Sequence, residues 1–224
     1  MFNDFEKFAI SRGISSNTLD GYNKHCLKNS IIEPYILEER DLNVATMSVF
    51  SRLFYDRIIF LASDVNPDSS NIIKAQLLFL NSTGTEDISF FIDSPGGDVT
   101  SGLAIYDVMN FIKPKVATYC MGLCASMGAV LLSSGAKGKR YSMPHGDIMI
   151  HQPMGGVRPG TQESDFAIEY EQIKKCKDTL YEILSENTGK SVEEITVAAD
   201  RDKWFTAKEA VEFGLIDSIV KKSK

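Results

Sequence analysis

The sequence predicts an α/β domain with a largely parallel sheet, and its 224 residues are enough for one domain with a full hydrophobic core. From Ser51 onward, short apolar runs typical of buried strands alternate with segments of helical periodicity. Residues 116–136 carry no charge, a length that could span a bilayer. They are rich in Gly, Ser, Cys and Ala, however, and lie within the strand–helix alternation, so a buried strand followed by a buried helix is the better interpretation.

The alternation gives the elements in order. Strands are predicted for RIIFLAS (57–63), DISFFID (87–93), VATYCMG (116–122), RYSMP (140–144), DIMIHQ (147–152) and LIDSIV (215–220). Helices are predicted over 71–81, 103–112, 126–135, 163–187 and 206–214. We expect the first helix to be capped by Ser69 or Ser70. Pro114 stops the second helix and Gly135 ends the third.

The helix from Glu163 to Asn187 is polar and long for a small domain. One stripe carries its larger apolar side chains, which are Phe166, Ile173, Leu180, Ile183 and Leu184. Such a helix is expected to project and meet another subunit.

The N-terminal region has a different character. Phe2, Phe5 and Phe8 recur at helical spacing, but a run of Gly, Ser and Asn residues then breaks the pattern. We predict a leader or propeptide over residues 1–34, followed by an arm over 35–50. The first residues contain acids where a signal peptide needs positive charge, so a cytoplasmic location is expected.

Composition excludes several function classes. The net charge of −6 and the lack of a concentrated basic face argue against nucleic-acid binding. The four cysteines form no CxxC pair and are too sparse for a disulfide framework, as expected in a reducing compartment. With three histidines and no HExxH pattern, no metal site is predicted.

The segment GLCASMG (122–128) carries the first candidate for chemistry. A strand of small residues runs into a helix at Ser126, which places a hydroxyl at a helix N-terminus, where a developing anion is favoured. The alternative is that Ser126 is only the N-cap of that helix. Both interpretations fit this segment taken alone.

Glycines mark the end of the preceding strand. Gly96 and Gly97 of SPGGDVTSG (94–102) let the backbone approach a ligand and direct N–H groups at an oxyanion. An ordinary glycine turn is the alternative, and the absence of a phosphate-loop motif argues against ATP binding. These glycines and Ser126 both lie at strand C-termini, where the sites of α/β proteins gather.

A general base and its partner complete the set. His151 ends the apolar strand of MIHQP (149–153), whereas His145 lies in a loop and His25 in the leader. His151 could equally be a hydrogen-bonded core residue, but it is the best candidate to activate a serine. A carboxylate that orients it could come from several residues, and these residues alone do not choose among Asp98, Asp147, Asp165, Asp200 and Asp202.

Taken together, four segments resemble the proteolytic subunit of the ATP-dependent Clp protease: SPGGDVTSGLAIYD, GLCASMG, MIHQPMGG and DRDKWFTAKEAVEFGLID. The likeness runs in order from about Phe50 to Val220. It implies a crotonase/ClpP-like fold of repeated β-β-α units with a protruding handle helix. The peptidase domain would then span residues 51–224, with the handle at about 155–188, and 35–50 would be an axial N-terminal arm.

The resemblance also implies residue roles. Ser126 would be the nucleophile, His151 the base and Asp202 the third member of the triad. The N–H groups of Gly97 and Met127 would form the oxyanion hole. Further roles follow for the substrate-binding residues Gly96, Met154, Gly155 and Gly156, for the partner-docking residues Phe79, Ser89 and Phe91, and for the ring–ring contact Arg201.

The implied function is a serine endopeptidase that cuts unfolded polypeptides inside a homo-oligomer of two stacked heptamers. A hexameric AAA+ unfoldase would hydrolyse the ATP, so the chain itself would need no cofactor, and neither a membrane nor nucleic acid would be a partner. Two departures from the family pattern stand out. GGVRPGTQESD (155–165) adds Arg158 and Pro159 at the handle, and Ser89 replaces an often aromatic residue.

Two other functions compete. A non-catalytic ring subunit would build the same barrel, but it should have lost a member of the set Ser126, His151 and Asp202, which are all present. A crotonase-type acyl-CoA enzyme would share the fold and use acidic residues near the glycines, with no ordered Ser, His and Asp set.

Overall fold

The computed structural model describes residues 35–40 and 43–221, with side chains from Ser48 onward. The predicted leader over 1–34 lies outside these residues. The chain divides into two units at the junction of Leu53 and Phe54.

In the first unit, β1 (Tyr35–Arg40) and β2 (Asn43–Ser48) pair as an antiparallel hairpin, with Tyr35 opposite Ser48. The hairpin lies in the segment predicted as an arm. Helix α1 (Val49–Tyr55) follows directly, and the Ser48 hydroxyl accepts a hydrogen bond from the Ser51 N–H. Our sequence analysis did not predict these strands.

The second unit contains a seven-stranded sheet. Its strands are β3 (Ile58–Leu61), β4 (Ile88–Ser94), β5 (Val116–Ala125), β6 (Arg140–Ser142), β7 (Asp147–Ile150), β8 (Lys203–Thr206) and β9 (Ser218–Ile219). The order is β3-β4-β5-β6-β9, with every neighbour parallel. β7 pairs in parallel with the end of β5, and β8 pairs antiparallel with β7. The prediction of a largely parallel sheet is confirmed.

Six helices accompany the sheet in this part of the described chain. They are α2 (Pro67–Thr83), α3 (Val99–Phe111), α4 (Met127–Ser133), α5 (Glu163–Thr188), α6 (Val192–Ala198) and α7 (Ala207–Phe213). Every residue of α4 is buried, and β5 before it contributes the buried Cys120 and Cys124. The uncharged segment is therefore a core strand and a core helix, as the sequence predicted. No helix in the described ranges is long and apolar enough to cross a membrane.

The long helix α5 is only half integrated in the fold. Leu180, Ile183 and Leu184 near its C-terminus are buried and pack in the core, whereas Phe166 near its N-terminus is 54% exposed. The predicted apolar stripe is thus divided between core packing and an open surface. The open half suits a helix that meets another subunit.

The predicted cap of the first core helix was wrong. Asn66 is the N-cap of α2, and its side-chain oxygen accepts from the N–H groups of Asp68 and Ser69. Pro67 then occupies the first turn, where its missing N–H costs nothing. Ser69 instead closes the capping box by accepting from the Asn66 N–H.

Some predicted strands are shorter or longer in the structure. The first ends at Leu61 rather than 63, and the final strand is reduced to Ser218–Ile219. β5 continues past residue 122 to Ala125. Its pairing with β4 shifts register between Ile92 and Ser94, and Gly122 in this irregular stretch has a φ of 143°. α6 and β8 were not predicted.

Candidate active site

Ser126 lies at a sharp turn between β5 and α4. Its φ of 55° and ψ of −121° are strained for a residue with a Cβ, and such strain concentrates at functional positions. The turn is held by a hydrogen bond from the Ser126 N–H to the Met149 carbonyl, 2.8 Å long. Although Ser126 occupies the N-cap position, its side chain makes no capping hydrogen bond. The hydroxyl therefore has another role than capping α4.

The Ser126 hydroxyl faces a histidine. His151 follows β7, which is the neighbour of β5 in the sheet, and its Nε2 lies 2.9 Å from the Ser126 Oγ. The other ring nitrogen, Nδ1, lies 3.0 Å from Oδ1 of Asp202. With the proton on Nδ1 facing the carboxylate, Nε2 is left to accept from the serine hydroxyl.

Strand β8 explains how Asp202 reaches this histidine. Ile150 at the end of β7 pairs antiparallel with Lys203 at the start of β8. The next residues outward are His151 and Asp202, so the register brings the two side chains together across the strand ends. The His151 side chain is 11% exposed and that of Asp202 is 63% exposed.

The five candidate aspartates have different positions and contacts in the structure. Asp98 caps α3 by accepting from the Ser101 N–H at 2.7 Å, and hydrogen bonding to the Ser101 side chain and then to its backbone lowers the pKa of Asp98. Asp147 begins β7, at the opposite end from His151, and Asp165 lies in the first turn of α5. Asp200 contributes its backbone carbonyl, which accepts from the Gln152 side chain. Among the described residues, only Asp202 bonds His151 through a carboxylate.

The backbone near Ser126 offers two N–H groups. Gly97 forms a parallel bridge with Val65, in which the Gly96 carbonyl and the Asp98 N–H both bond to Val65. Because N–H groups alternate along an extended chain, the Gly97 N–H points away from Val65. Met127 is the first residue of α4, where an N–H has no intrahelical partner. Both donors are predicted oxyanion-hole groups, and both residues line the same cavity as Ser126.

That cavity measures about 330 Å³. Ser126 and His151 line it together with Gly96, Gly97, Met127 and Met154, all of which the sequence analysis predicted at the site. The remaining lining residues, which it missed, are Asp64, Pro95, Val99, Val130, Ile150, Pro153, Leu180 and Leu184. Most of these are apolar, and α3, α4 and α5 bring them together from distant parts of the sequence. No local sequence signal marks them.

The predicted substrate-binding segment runs beside α5. Residues 151–158 belong to no helix or strand, so their backbone groups are not committed to the sheet. Met154 is 84% exposed. Gly155 lies so close to Ile173 that a Cβ would come within 2.3 Å of that side chain, whereas Gly156 has open space around it. The segment is therefore a glycine-rich strip of backbone between the cavity and the long helix.

The predicted docking residues lie on two surfaces. Phe91 belongs to a row of stacked rings across β3 to β6, formed by Phe60, Phe91, Tyr119 and Tyr141 with centroids 4.6–5.5 Å apart. Ser89 is two residues earlier on β4 and so shares that face. Phe79 on α2 is 55% exposed and contacts Phe54 at a centroid distance of 5.6 Å. We call the four stacked rings the aromatic row.

The predicted ring–ring residue, Arg201, directly precedes Asp202 in the sequence. Arg201 is exposed and donates to the Asp200 carbonyl, and the described residues give it no carboxylate partner. Within the described ranges, no cluster of His, Cys, Asp and Glu is suited to hold a metal ion.

Comparisons with known proteins provide evidence that is independent of the site geometry. The family model described as Clp protease matches residues 41–223. The "ATP-dependent Clp protease proteolytic subunit" of Porphyromonas gingivalis is 47% identical over 224 residues, covering 99% of both chains. The same name is carried by a Bacteroides fragilis protein, 48% identical over 97% of this chain and 98% of its own. It is also carried by a Bacteroides thetaiotaomicron protein, 47% identical with the same coverage.

Proposed function

Because this chain belongs to the Clp protease family, we propose that it is a serine endopeptidase in which Ser126, His151 and Asp202 form the catalytic triad. The observation that carries the assignment is the unbroken chain of hydrogen bonds from the Ser126 hydroxyl through His151 to Asp202. An uncommitted serine at a strained strand-to-helix turn fits the same role.

The geometry supports a two-step acyl transfer. Ser126 Oγ attacks the peptide carbonyl while His151 Nε2 takes its proton, and the protonated imidazole is stabilised by Asp202. The proton then passes to the leaving amine, the C–N bond breaks, and water hydrolyses the acyl-enzyme in the same way. The N–H groups of Gly97 and Met127 would bind the oxyanion, and each such donor is typically worth about 10²–10³ in rate.

The substrate class follows from the glycine-rich strip. Residues 154–156 offer free backbone groups beside the cavity, and an extended peptide can add to them as a strand does. Gly96, Met154, Gly155 and Gly156 would then hold the main chain of an unfolded polypeptide. The apolar walls of the cavity would receive one side chain.

The assembly is likewise part of the proposal. We expect a homo-oligomer of two stacked heptamers, in which the exposed half of α5 is the handle (about 155–188) and Arg201 links ring contact to Asp202. An ATP-hydrolysing AAA+ unfoldase would dock on the aromatic row, on Ser89 of the same face, and on Phe79. Residues 1–34 would be a leader or propeptide, 35–50 an axial arm and 51–224 the peptidase domain. The chain itself would need no cofactor and would work in the cytoplasm.

A fluorophosphonate probe tests the nucleophile directly. The intact mass of the assembled wild-type protein should gain a single adduct, and the Ser126→Ala variant should gain none. An Asp107→Asn variant on the exposed face of α3 serves as a folding and handling control. No adduct on the wild type would refute the assignment and favour the non-catalytic ring subunit. An equal adduct on Ser126→Ala would also refute it, by showing that another residue is the activated nucleophile.

A further inference from the structure

The active-site cavity contains one acidic side chain that the triad does not use. Asp64 lines the cavity together with Ser126 and His151, and it is the single carboxylate among the described lining residues. The cavity has no lysine or arginine in its described lining. A negative charge therefore lines the same cavity as the reacting groups, with no cationic side chain among the described lining residues.

The position of Asp64 follows from the strand bridge next to the oxyanion donors. Val65 bonds to Gly96 and Asp98, and its own side chain is buried at 1% exposure. Because successive side chains on an extended segment point to opposite sides, Asp64 faces away from the core. With about 3.8 Å between consecutive Cα atoms and about 4.8 Å between strands, the Asp64 Cα lies within roughly 9 Å of Gly97.

The backbone of Asp64 is held, but its carboxylate is free to act on a ligand. The carbonyl accepts from the Ser69 hydroxyl at 2.9 Å and from the Asn66 side-chain amide at 3.4 Å. In the part of the chain that the structure describes, no hydrogen bond or ion pair involves the carboxylate, and the residue is exposed. At position 64 the turn is therefore fixed by main-chain groups, and the described contacts give the carboxylate no structural role.

The surroundings strengthen the effect of that charge on a bound peptide. Apolar side chains such as Val99, Val130 and Leu180 form much of the cavity wall. Walls of low polarizability focus the field of a charge into the cleft, and a peptide that fills it displaces screening water.

We propose that Asp64 is a specificity-determining residue, which favours peptides with a lysine or arginine next to the scissile bond over peptides with an acid there. This inference rests on the proposed peptidase function. The carboxylate attracts a cationic side chain as the peptide is bound and repels an anionic one. The discrimination acts on kcat/KM and leaves the acyl-transfer chemistry to the triad.

The test uses a matched set of fluorogenic peptides on the assembled full-length protein. The peptides share one apolar residue for the cavity and differ by Lys, Gln or Glu at each of the two positions on either side of the scissile bond. The measured quantity is the ratio of kcat/KM for the Lys peptide to that for the Glu peptide. At low salt we expect Asp64→Asn to lower the largest such ratio by about five- to tenfold.

A charge reversal and a distant control sharpen the result. Asp64→Lys should bring the ratio below that of Asp64→Asn. Asp107→Asn makes the same net charge change as Asp64→Asn but on an exposed residue outside the cavity lining, and it should leave the ratio as in the wild type. About 0.5 M salt should shrink the wild-type preference, since exposed charges are then screened over a few ångströms.

The outcomes separate the two proposals. Hydrolysis of the Gln peptide that disappears in Ser126→Ala supports the peptidase function whatever the charge ratio. If that hydrolysis is present but both Asp64 variants keep the wild-type ratio at all positions, Asp64 does not set specificity. If no peptide is hydrolysed in a Ser126-dependent way, both proposals are wrong.

Discussion

Gly96 packs directly against Ser126: a Cβ placed on Gly96 would lie 2.7 Å from the Ser126 Cβ, 2.6 Å from the Ala125 carbonyl oxygen and 2.9 Å from the Met127 nitrogen. Gly96 also has a φ of 91°, which side-chain-bearing residues rarely adopt. The turn after β4 and the turn after β5 are thus packed backbone against backbone. The position of Ser126 depends on the absence of a side chain at residue 96.

The first prediction follows from this contact. Gly96→Ala should lower kcat by at least about 10²-fold, because displacing the serine or an oxyanion donor by about 1 Å is enough for that loss. Peptide hydrolysis measured with circular dichroism on the same sample checks it. Gly84→Ala is the matched control, since the Cβ there meets the flexible end of Glu86 far from the site. An unchanged kcat in Gly96→Ala would contradict this prediction, because it would mean that the turn accommodates the added methyl group without displacing Ser126.

A second prediction concerns the third triad member. Asp202→Asn should lower kcat by about 10³–10⁴, since an amide favours the wrong histidine tautomer and no longer stabilises the imidazolium. Asp200→Asn, two residues away, should keep near-wild-type kcat because Asp200 contributes its backbone carbonyl. Steady-state kinetics on peptides measures both. Equal losses in the two variants would contradict the assignment of Asp202.

A third prediction concerns stability. The Arg140 side chain is 6% exposed, binds both carboxylate oxygens of Asp217, and donates to the carbonyls of Asn187 and Gly214. It therefore joins the C-terminal ends of α5 and α7 to β6. Asp217→Asn leaves the guanidinium buried without its counter-charge and should cost about 3 kcal/mol of unfolding free energy. Thermal unfolding at fixed protomer concentration should show Tm lowered by roughly 6–12 °C, with Asp107→Asn unchanged.

The same pair predicts a pH dependence. Burial acts to raise the pKa of Asp217, but hydrogen bonds from the Arg140 side chain and backbone, with its positive charge, outweigh burial and lower the pKa. A carboxyl group with a lowered folded-state pKa stabilises the protein above its unfolded-state value, and this stability is lost as pH falls through the folded-state pKa. Below about pH 4, the Tm of Asp217→Asn should therefore decrease less steeply with falling pH than the Tm of the wild type. If Tm decreases equally with falling pH in both proteins, Asp217 does not contribute to the pH dependence of stability.

A fourth prediction separates the proposed docking surface from catalysis. Phe91 lies between Phe60 and Tyr119 in the aromatic row, so Phe91→Ala removes the ring that joins its two halves. Degradation of a folded protein with the AAA+ unfoldase and ATP should drop at least about tenfold, while short-peptide hydrolysis stays within about twofold. Phe111→Ala, on an exposed ring at the end of α3, is the control. A proportional loss of both activities would indicate a folding defect rather than a docking role.

Local patterns were enough for the strands and helices that bury apolar residues. Phe90 and Cys120 are buried within short apolar runs, and such runs indicate strands without knowledge of their neighbours. The same patterns misplaced the start of α2, because Asn66, Ser69 and Ser70 are all capping residues and only the backbone geometry selects one. They also missed β8, a four-residue strand in which only Phe205 is buried.

By itself the sequence determined that Ser126 and His151 each lie at the end of a strand in an α/β domain, since strand C-termini are marked by the local change from apolar run to glycine-rich turn. Its motifs also pointed to the family. The resemblance implied Asp202, but the residues themselves left five aspartates open. Only the tertiary structure brings Asp202 to face His151, because that contact depends on the antiparallel register of β7 and β8 across about fifty residues of chain. It also decided that Asp64 shares the cavity, since side chains distant in sequence become neighbours only when strands and helices pack.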